Sequence, residues 1–552
     1  MEKLIDWKAK KRRKPLVLNG ARQVGKTWLL LEFGRKHFSN TAYVSLDNNS
    51  AARDLFEGDY EIDRIIKGLS LLTGEEIKPE KTLVILDEVQ AAPKAITSLK
   101  YFCEQAPEYA LAAAGSLLGL SAHEGTGFPV GKADSLNLYP LSFIEFLYAT
   151  GENDLADLVC EGDSSLISVF ADRLTDRLKH YYVVGGMPAA VIEFAESNNY
   201  NNTREIQLQI LGDYTRDFAK HVPARILKRT IDVWKSIPAH LSQENKKFIF
   251  GQIRTGARAK DYEESIFWLS QAGLVSRIER VSKPGIPLSA YSDRKSFKLF
   301  LLDVGLLSAI SNIAPASILE GSRIFTEFKG ALTEQYVCQQ LISDCGLQPY
   351  YWSAENSRGE IDFLVQRESR IYPIEVKAEE NLRSKSLRAF SEKYESMDSR
   401  RLSLSGYRDE GWMRNIPLFA IGNTEIWKWQ HRDLFTASAF GGLCSSPFFG
   451  RPRESLQGLA EKEQAEIKEH DISFRGFDYN DSEESVLSGY IVYLFEDDRY
   501  TELKEPLARF SDNGIRIIGI STYIAAWIVA LPKFGENTLS ASTYSLLRSL
   551  KR

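Results

Sequence analysis

Cysteine is scarce in this 552-residue sequence: five residues, Cys103, Cys160, Cys338, Cys345 and Cys444, scattered and odd in number. None forms a Cys-x-x-Cys pair, which argues against structural zinc and against a disulfide framework, and fits a reducing cytoplasm. A charge excess is also lacking, since 69 Lys and Arg stand against 74 Asp and Glu. No basic surplus drives the chain onto nucleic acid, so any such contact has to come from a local patch. The longest apolar stretch, IIGISTYIAAWIVALP from Ile517 to Pro532, falls short of the roughly 20 residues of a membrane helix. It predicts a buried strand or a core helix. The opening residues, MEKLIDWKAKKRRKP, contain no apolar signal core. A cytoplasmic protein without a membrane partner is expected, and no internal repeat is visible.

What is present is ordinary for a folded chain: 43% hydrophobic, 26% charged and 11% aromatic residues, which excludes disordered and collagen-like classes. At roughly 150 residues per domain, three or four domains are expected. Strands are predicted at 15–19 (PLVLN), 41–46 (TAYVSL), 82–86 (TLVIL) and 109–114 (YALAAA), with a helix from Lys26 to Phe38 after the first. Each strand is apolar throughout rather than alternating, as expected when helices cover both faces of a parallel sheet. From about 150 to 222 the pattern is helical, interrupted by YYVVGGMP at 181–188. Helices and a hairpin are expected over 223–315, then one helix with strands over 321–425. The Gly441-Gly442 pair and CSSPFFGRPRES at 444–455 read as a linker or loop.

Residues 20–27, Gly-Ala-Arg-Gln-Val-Gly-Lys-Thr, lie between a predicted strand and a predicted helix and match the phosphate-cradling pattern G-x-x-x-x-G-K-[ST]. Gly20 and Gly25 let the backbone curl so that the N–H groups of Ala21, Arg22, Gln23 and Val24 turn toward phosphate oxygens. The helix N-terminus adds its positive end. Lys26 reaches the β and γ phosphates, and the Thr27 hydroxyl ligates Mg²⁺. In LVILDE, 83–88, Asp87 and Glu88 end an apolar strand, at the edge where parallel sheets bind ligands. Asp87 is expected to hold the Mg²⁺ shell and Glu88 to orient or deprotonate water. Ser116, after the fourth strand, reads as a γ-phosphate sensor or as part of a turn.

The ordered series GARQVGKT, LDEVQ (86–90), SLK (98–100), GSLLG (115–119), YPLSFIEF (139–146) and VGGMPAAV (184–191) resembles the prokaryotic AAA+-type P-loop ATPases that carry a C-terminal DUF4143 domain with a restriction-endonuclease-like piece. The resemblance covers residues 1–428 and implies an α/β fold: a P-loop ATPase core with a parallel sheet (1–150), a helical lid (151–222), a winged-helix-like segment (223–320) and a restriction-endonuclease-like domain (321–428). A C-terminal α/β extension (429–552) lies outside it. The family usually has Gly-Arg before the PLS motif, where this chain has Gly131-Lys132. A lysine offers a point charge instead of a planar fork, which puts hydrolysis in trans in doubt. Arg216 is a candidate arginine finger, with a surface helix charge as the alternative.

A second site is expected over RGEIDFLVQRESRIYPIEVKA, 358–378, where two strands flank a polar turn. Alternation puts Glu360 and Asp362 on one face and turns Glu375 and Lys377 one way, with Glu334 supplied by the preceding helix. The resemblance to the D-x(n)-E-x-K nuclease core places Asp362, Glu375 and Lys377 in metal and catalytic positions, with a second Mg²⁺ or Mn²⁺. Helices around Thr255-Gly256 suggest a helix-turn-helix, but Asp261, Glu263 and Glu264 would face phosphates, so packing is preferred to DNA reading. The basic run Lys8, Lys10, Lys11, Arg12, Arg13 and Lys14 reads as a solvated helix or a nucleic-acid track. Tyr350, Tyr351 and Trp352 read as core, with base stacking as the alternative. Strands at 489–495 and 514–520 around a helix at 502–510 give a β-α-β pattern, with Glu496, Asp497 and Asp498 at a strand end. The expected function is ATP hydrolysis coupled to a nuclease-like domain acting on nucleic acid. The alternative is a nucleotide-gated switch for a protein or DNA partner, with the C-terminal extension as a partner-recognition module and oligomerisation left open.

Overall fold

The computed structural model describes residues 1–116, 129–320, 326–354, 359–378, 384–394, 397–423 and three strands beyond residue 490. Two units are distinct, Met1–Lys428 and Trp429–Arg552. The first unit opens with a five-stranded, wholly parallel sheet: β1 Leu16–Asn19, β2 Asn40–Ser45, β3 Thr82–Asp87, β4 Ala110–Ala114 and β5 Asp134–Asn137, in the order β2-β3-β4-β1-β5. The apolar strands are buried on both faces because successive side chains point opposite ways. Leu16, Leu18, Leu83 and Ile85 pack with Trp7, Leu30 and Phe33. Val17, Val84 and Leu86 pack with Ile65, Leu69 and Leu99 on the other side. β5 was not expected: its sequence, DSLN, is short and polar, and its residues join only as an edge beside β1. Because β1 lies between β4 and β5, neither adjacent in sequence, a crevice opens at its carboxyl end.

Helices follow at Asn153–Glu161, Ser164–Val169, Ala171–Val184, Pro188–Ser197 and Tyr200–His221. The Gly185-Gly186 break is held by Asp303, which accepts from Gly186 N at 2.6 Å and Leu306 N at 2.9 Å. Leu141 N donates to Gly186 O at 2.7 Å, and a Cβ on Gly186 would stand 2.0 Å from Leu141 O, a backbone atom that cannot swing aside. Gly186→Ala is therefore expected to destabilise the unit by about 3 kcal/mol, at the upper end of overpacking costs. The check is a lower urea midpoint at unchanged slope.

Helices Ala224–Leu241 and Ala259–Gln271 pack together through Val233, Trp234, Tyr262 and Ile266, among others. They precede an eight-stranded sheet of β6 Val275–Val281, β7 Ser292–Leu301, β8 Pro349–Ser353, β9 Glu360–Arg367, β10 Arg370–Val376, β11 Ser399–Ser403, β12 Arg408–Asp409 and β13 Met413–Pro417. The order is β12-β13-β11-β10-β9-β8-β6-β7. Within the segment expected to be winged-helix-like, β6 is joined to β8 through Arg280↔Tyr351 and Val281↔Trp352. Helix Thr326–Ser343 stitches this region with amide side chains. Gln335 bonds both the N–H and the C=O of Leu301, and Gln340 Oε1 accepts from Phe143 N at 3.0 Å. Tyr351 and Trp352 are buried.

In the second unit, β16 Ala526–Ala530 pairs antiparallel with both β14 Ile491–Phe495 and β15 Ile515–Gly519. The apolar run from Ile517 therefore contains the end of one strand and the whole of another, where a single strand or helix was expected. The helix expected at 502–510, the acidic triplet 496–498, the linker at 444–455 and Cys444 lie outside the described residues. No helix among the described residues is long and apolar enough to cross a membrane.

Candidate nucleotide site

The loop from Gly20 to Gly25 joins the carboxyl end of β1 to helix Lys26–His37. Gly25 takes a left-handed conformation (φ 93°) that costs a residue with a Cβ about 1 kcal/mol or more, and it opens the helix with no side-chain cap. The first N–H groups of the helix are thus left for an anion. Lys26 is almost wholly buried, and its Nζ donates to Gly20 O at 2.9 Å and Ala21 O at 2.7 Å. Burial pulls its ammonium down to about 8, against the opposing pull of Glu88 and Asp87. Thr27 Oγ1 donates to Asp87 Oδ2 at 2.6 Å, and Tyr43 OH donates to the same oxygen at 3.1 Å. The two Mg²⁺-binding candidates, 60 positions apart, therefore touch. Glu88 has a left-handed backbone (φ 50°, ψ 44°). Its N–H is held by Asp87 Oδ1 at 2.9 Å, and Gln90 donates to its carboxylate. The donor set fits a triphosphate with Mg²⁺: an uncapped helix start, a compact ammonium, and a hydroxyl paired with a carboxylate.

Helix Tyr200–His221 lies against the loop, a contact that sequence reasoning missed. Arg22 forms an ion pair with Asp217, Gln23 Nε2 donates to Asp213 Oδ2 at 2.8 Å, and Tyr214 OH donates to Arg22 O at 2.9 Å. Arg216, one turn along, pairs with Asp213 on its own helix and is largely exposed. Ser116 follows β4 and lines a cavity of about 420 Å³ together with Gly20, Ala21, Asn137, Ser270 and Arg277. It also lines a small cleft beside Arg22 and Asp217. Lys132 is paired with Glu104 at 3.0 Å on the surface. Within the basic run, Lys10 pairs with Asp134, Lys8 donates to His37 O, and Arg13 donates to Glu108 O.

Three residues of the second expected site, Glu334, Glu360 and Asp362, converge around a lysine that sequence reasoning did not single out. Lys298 of β7 is 1% exposed. Its Nζ is 2.5 Å from Glu360 Oε1 and 3.7 Å from Glu334 Oε2. Lys246 Nζ is 2.8 Å from Glu334 Oε1. Asp362 Oδ2 accepts from Val376 N at 2.7 Å, between Glu375 and Lys377, which pair with each other at 2.9 Å. Burial raises the Asp362 carboxyl, helped by the charge of Glu334 and opposed by Lys298. Burial works against the charge on Lys298, but Glu334, Glu360 and Asp362 outweigh it and raise its ammonium. The signal that could have found Lys298 is its setting in Ser-Phe-Lys-Leu-Phe-Leu, 296–301. A lysine inside so apolar a strand is buried only if paired. No three acidic, histidine or cysteine side chains are grouped to hold a metal ion among the described residues.

Residues 12–147 match the family described as an AAA domain, residues 175–317 match DUF8612, and residues 329–418 match DUF4143, the last two being domains of unknown function. No curated protein matches the chain. Among solved structures it is similar to the Walker-type ATPase PabY2304 of Pyrococcus abyssi, at 14% identity and a TM-score of 0.37, over 56% of this chain and 94% of that one. It is also similar to the Aeropyrum pernix Orc1 protein in complex with DNA, at 15% identity and a TM-score of 0.23, over 56% and 90%. Residues 12–147, which hold the phosphate-loop geometry described above, thus match an AAA domain, and residues 329–418 downstream match DUF4143.

Proposed function

We propose that the P-loop domain hydrolyses ATP by in-line attack of water and passes the cycle to the DUF4143 domain, which engages nucleic acid in the cytoplasm. One observation carries the reading. Lys26 and Thr27, from one stretch, meet Asp87 and Glu88, from another, with Thr27 Oγ1 2.6 Å from Asp87 Oδ2. Loop N–H groups and Lys26 hold phosphate oxygens, and Thr27 and Asp87 hold Mg²⁺. When bound, the ion would supply positive charge against the negative charge on the phosphoryl oxygens. Glu88 orients water and accepts its proton, and Ser116 senses the phosphate. Residues 1–150 serve as the core, 151–222 as the lid that excludes water, 223–320 as a winged-helix-like connector, 321–428 as the nuclease-like domain, and 429–552 as a partner-recognition module.

A second reading, a nucleotide-gated switch that binds a partner without cutting, is favoured by the buried ammonium of Lys298 among the carboxylates. ATP turnover measured with and without single- and double-stranded DNA and RNA tests engagement. A rise with any of them is expected, and turnover indifferent to all four removes nucleic acid from the scheme. The same mixtures, given Mg²⁺ or Mn²⁺, separate the two readings. Cutting that Lys377→Ala abolishes supports the nuclease. Intact substrate beside stimulated turnover supports the switch, and cutting that survives Lys377→Ala places the activity elsewhere.

A further inference from the structure

We propose that Lys298 is the resident cation of the carboxylate cluster, standing where a divalent ion would have to sit and fastening the β6–β7 hairpin to the DUF4143 sheet. The inference rests on the second reading above, a domain that binds without cutting. It bears on the cluster and not on the P-loop.

Charge and position both argue for it. Four carboxyls, Glu334, Glu360, Asp362 and Glu375, face three ammonium groups, Lys246, Lys298 and Lys377. The three ammonium groups offset most of that negative charge, and a cluster so nearly neutral has little field with which to draw a divalent ion out of water. The Lys298 ammonium also lies on the inner side of the cluster, with the Tyr351 ring 5.0 Å away. It is not a surface lysine folded over the acids, because β7 carries it in from the segment matched by DUF8612. Glu334 Oε2 is buried without a hydrogen bond, and Lys298, 3.7 Å away, is the cation beside it.

The hairpin also reaches the nucleotide site. β6 begins just after the Ser270–Gly273 turn, where a Cβ on Gly273 would stand 3.4 Å from Ala21 N. The turn leading into the hairpin therefore lies beside the P-loop, the hairpin meets the carboxylate cluster near its end, and Lys298 is the side chain through which that second contact is made.

The test is Mn²⁺ uptake by the nucleotide-free full chain, followed by the loss of the free-ion electron paramagnetic resonance signal and by melting temperature. All arms carry Asp87→Asn, so that the P-loop contributes no uptake. With Lys298 in place, submillimolar Mn²⁺ is expected to leave both signals unchanged. Lys298→Gln is expected to take up Mn²⁺ and to melt higher in its presence, and further Glu334→Gln is expected to abolish both effects. The proposal is overturned if the Lys298 chain itself takes up Mn²⁺ that Glu334→Gln or Asp362→Asn removes, an arm that needs no Lys298 variant to fold. It is equally overturned if a folded Lys298→Gln chain takes up none. Because no nucleotide is present, either result stands whatever the fate of the ATPase assignments.

Discussion

Calorimetric titration of the Lys26→Ala variant with Mg·ATP is expected to give no heat, and ATP is expected no longer to raise its melting temperature. Lys26 is the compact cation of the P-loop, turned onto Gly20 O and Ala21 O. Both acceptors are backbone atoms of the loop, so a phosphate placed there meets the ammonium without rearrangement of the helix. Charge-assisted contacts from Lys26 to the phosphates, lost to alanine, are worth about 3 kcal/mol, which is about 100-fold in affinity. The variant also separates lost binding from lost folding. Burial pulls the Lys26 ammonium down to about 8, so its charge costs the folded state free energy below that pH. Alanine removes this cost, and the ligand-free variant is expected to melt no lower than the parent. A variant that binds ATP as tightly as the parent refutes the assignment of the site.

Part of this site is legible in the sequence, for a physical reason. The phosphate cradle is eight consecutive residues, and its demands on backbone freedom and charge are local. The strand ending in Asp87 and Glu88 shows itself because both its faces are buried, which leaves an unbroken apolar run. β5 carries no such mark, since an edge strand of four residues buries little. The grip of Asp213, Tyr214 and Asp217 on the loop spans 190 to 195 positions along the chain. No spacing rule links residues so far apart. The nuclease-like cluster was half legible. Alternation along β9 and β10 placed Glu360 with Asp362 and Glu375 with Lys377, and the structure brings them together. What alternation could not supply was a lysine from another strand of the same sheet, and that lysine changes the chemistry from metal binding to internal neutralisation.

Glu88→Gln is expected to leave ATP binding within about twofold of the parent while turnover falls by about 100- to 1,000-fold, the range general-base removal produces. The substitution keeps the shape and the hydrogen-bonding reach of the side chain. The substituted amide can still accept from Gln90, and the backbone N–H at this position still meets Asp87 Oδ1. What is lost is the ability to take a proton from water. The backbone at this position gives a second handle. Glu88 is held in the left-handed region, where a side-chain-bearing residue costs about 1–2 kcal/mol. Such strain is kept where surrounding structure dictates it, here the turn that aims the residue past the end of β3. Glu88→Gly should therefore relieve strain and stabilise the fold, while hydrolysis is lost just as in the glutamine variant. If Glu88 only shaped the turn, glycine would preserve turnover and glutamine would change nothing. Multiple-turnover phosphate release, measured beside nucleotide affinity for both variants, decides between a proton acceptor and a turn residue. Unchanged release in Glu88→Gln takes Glu88 out of the reaction.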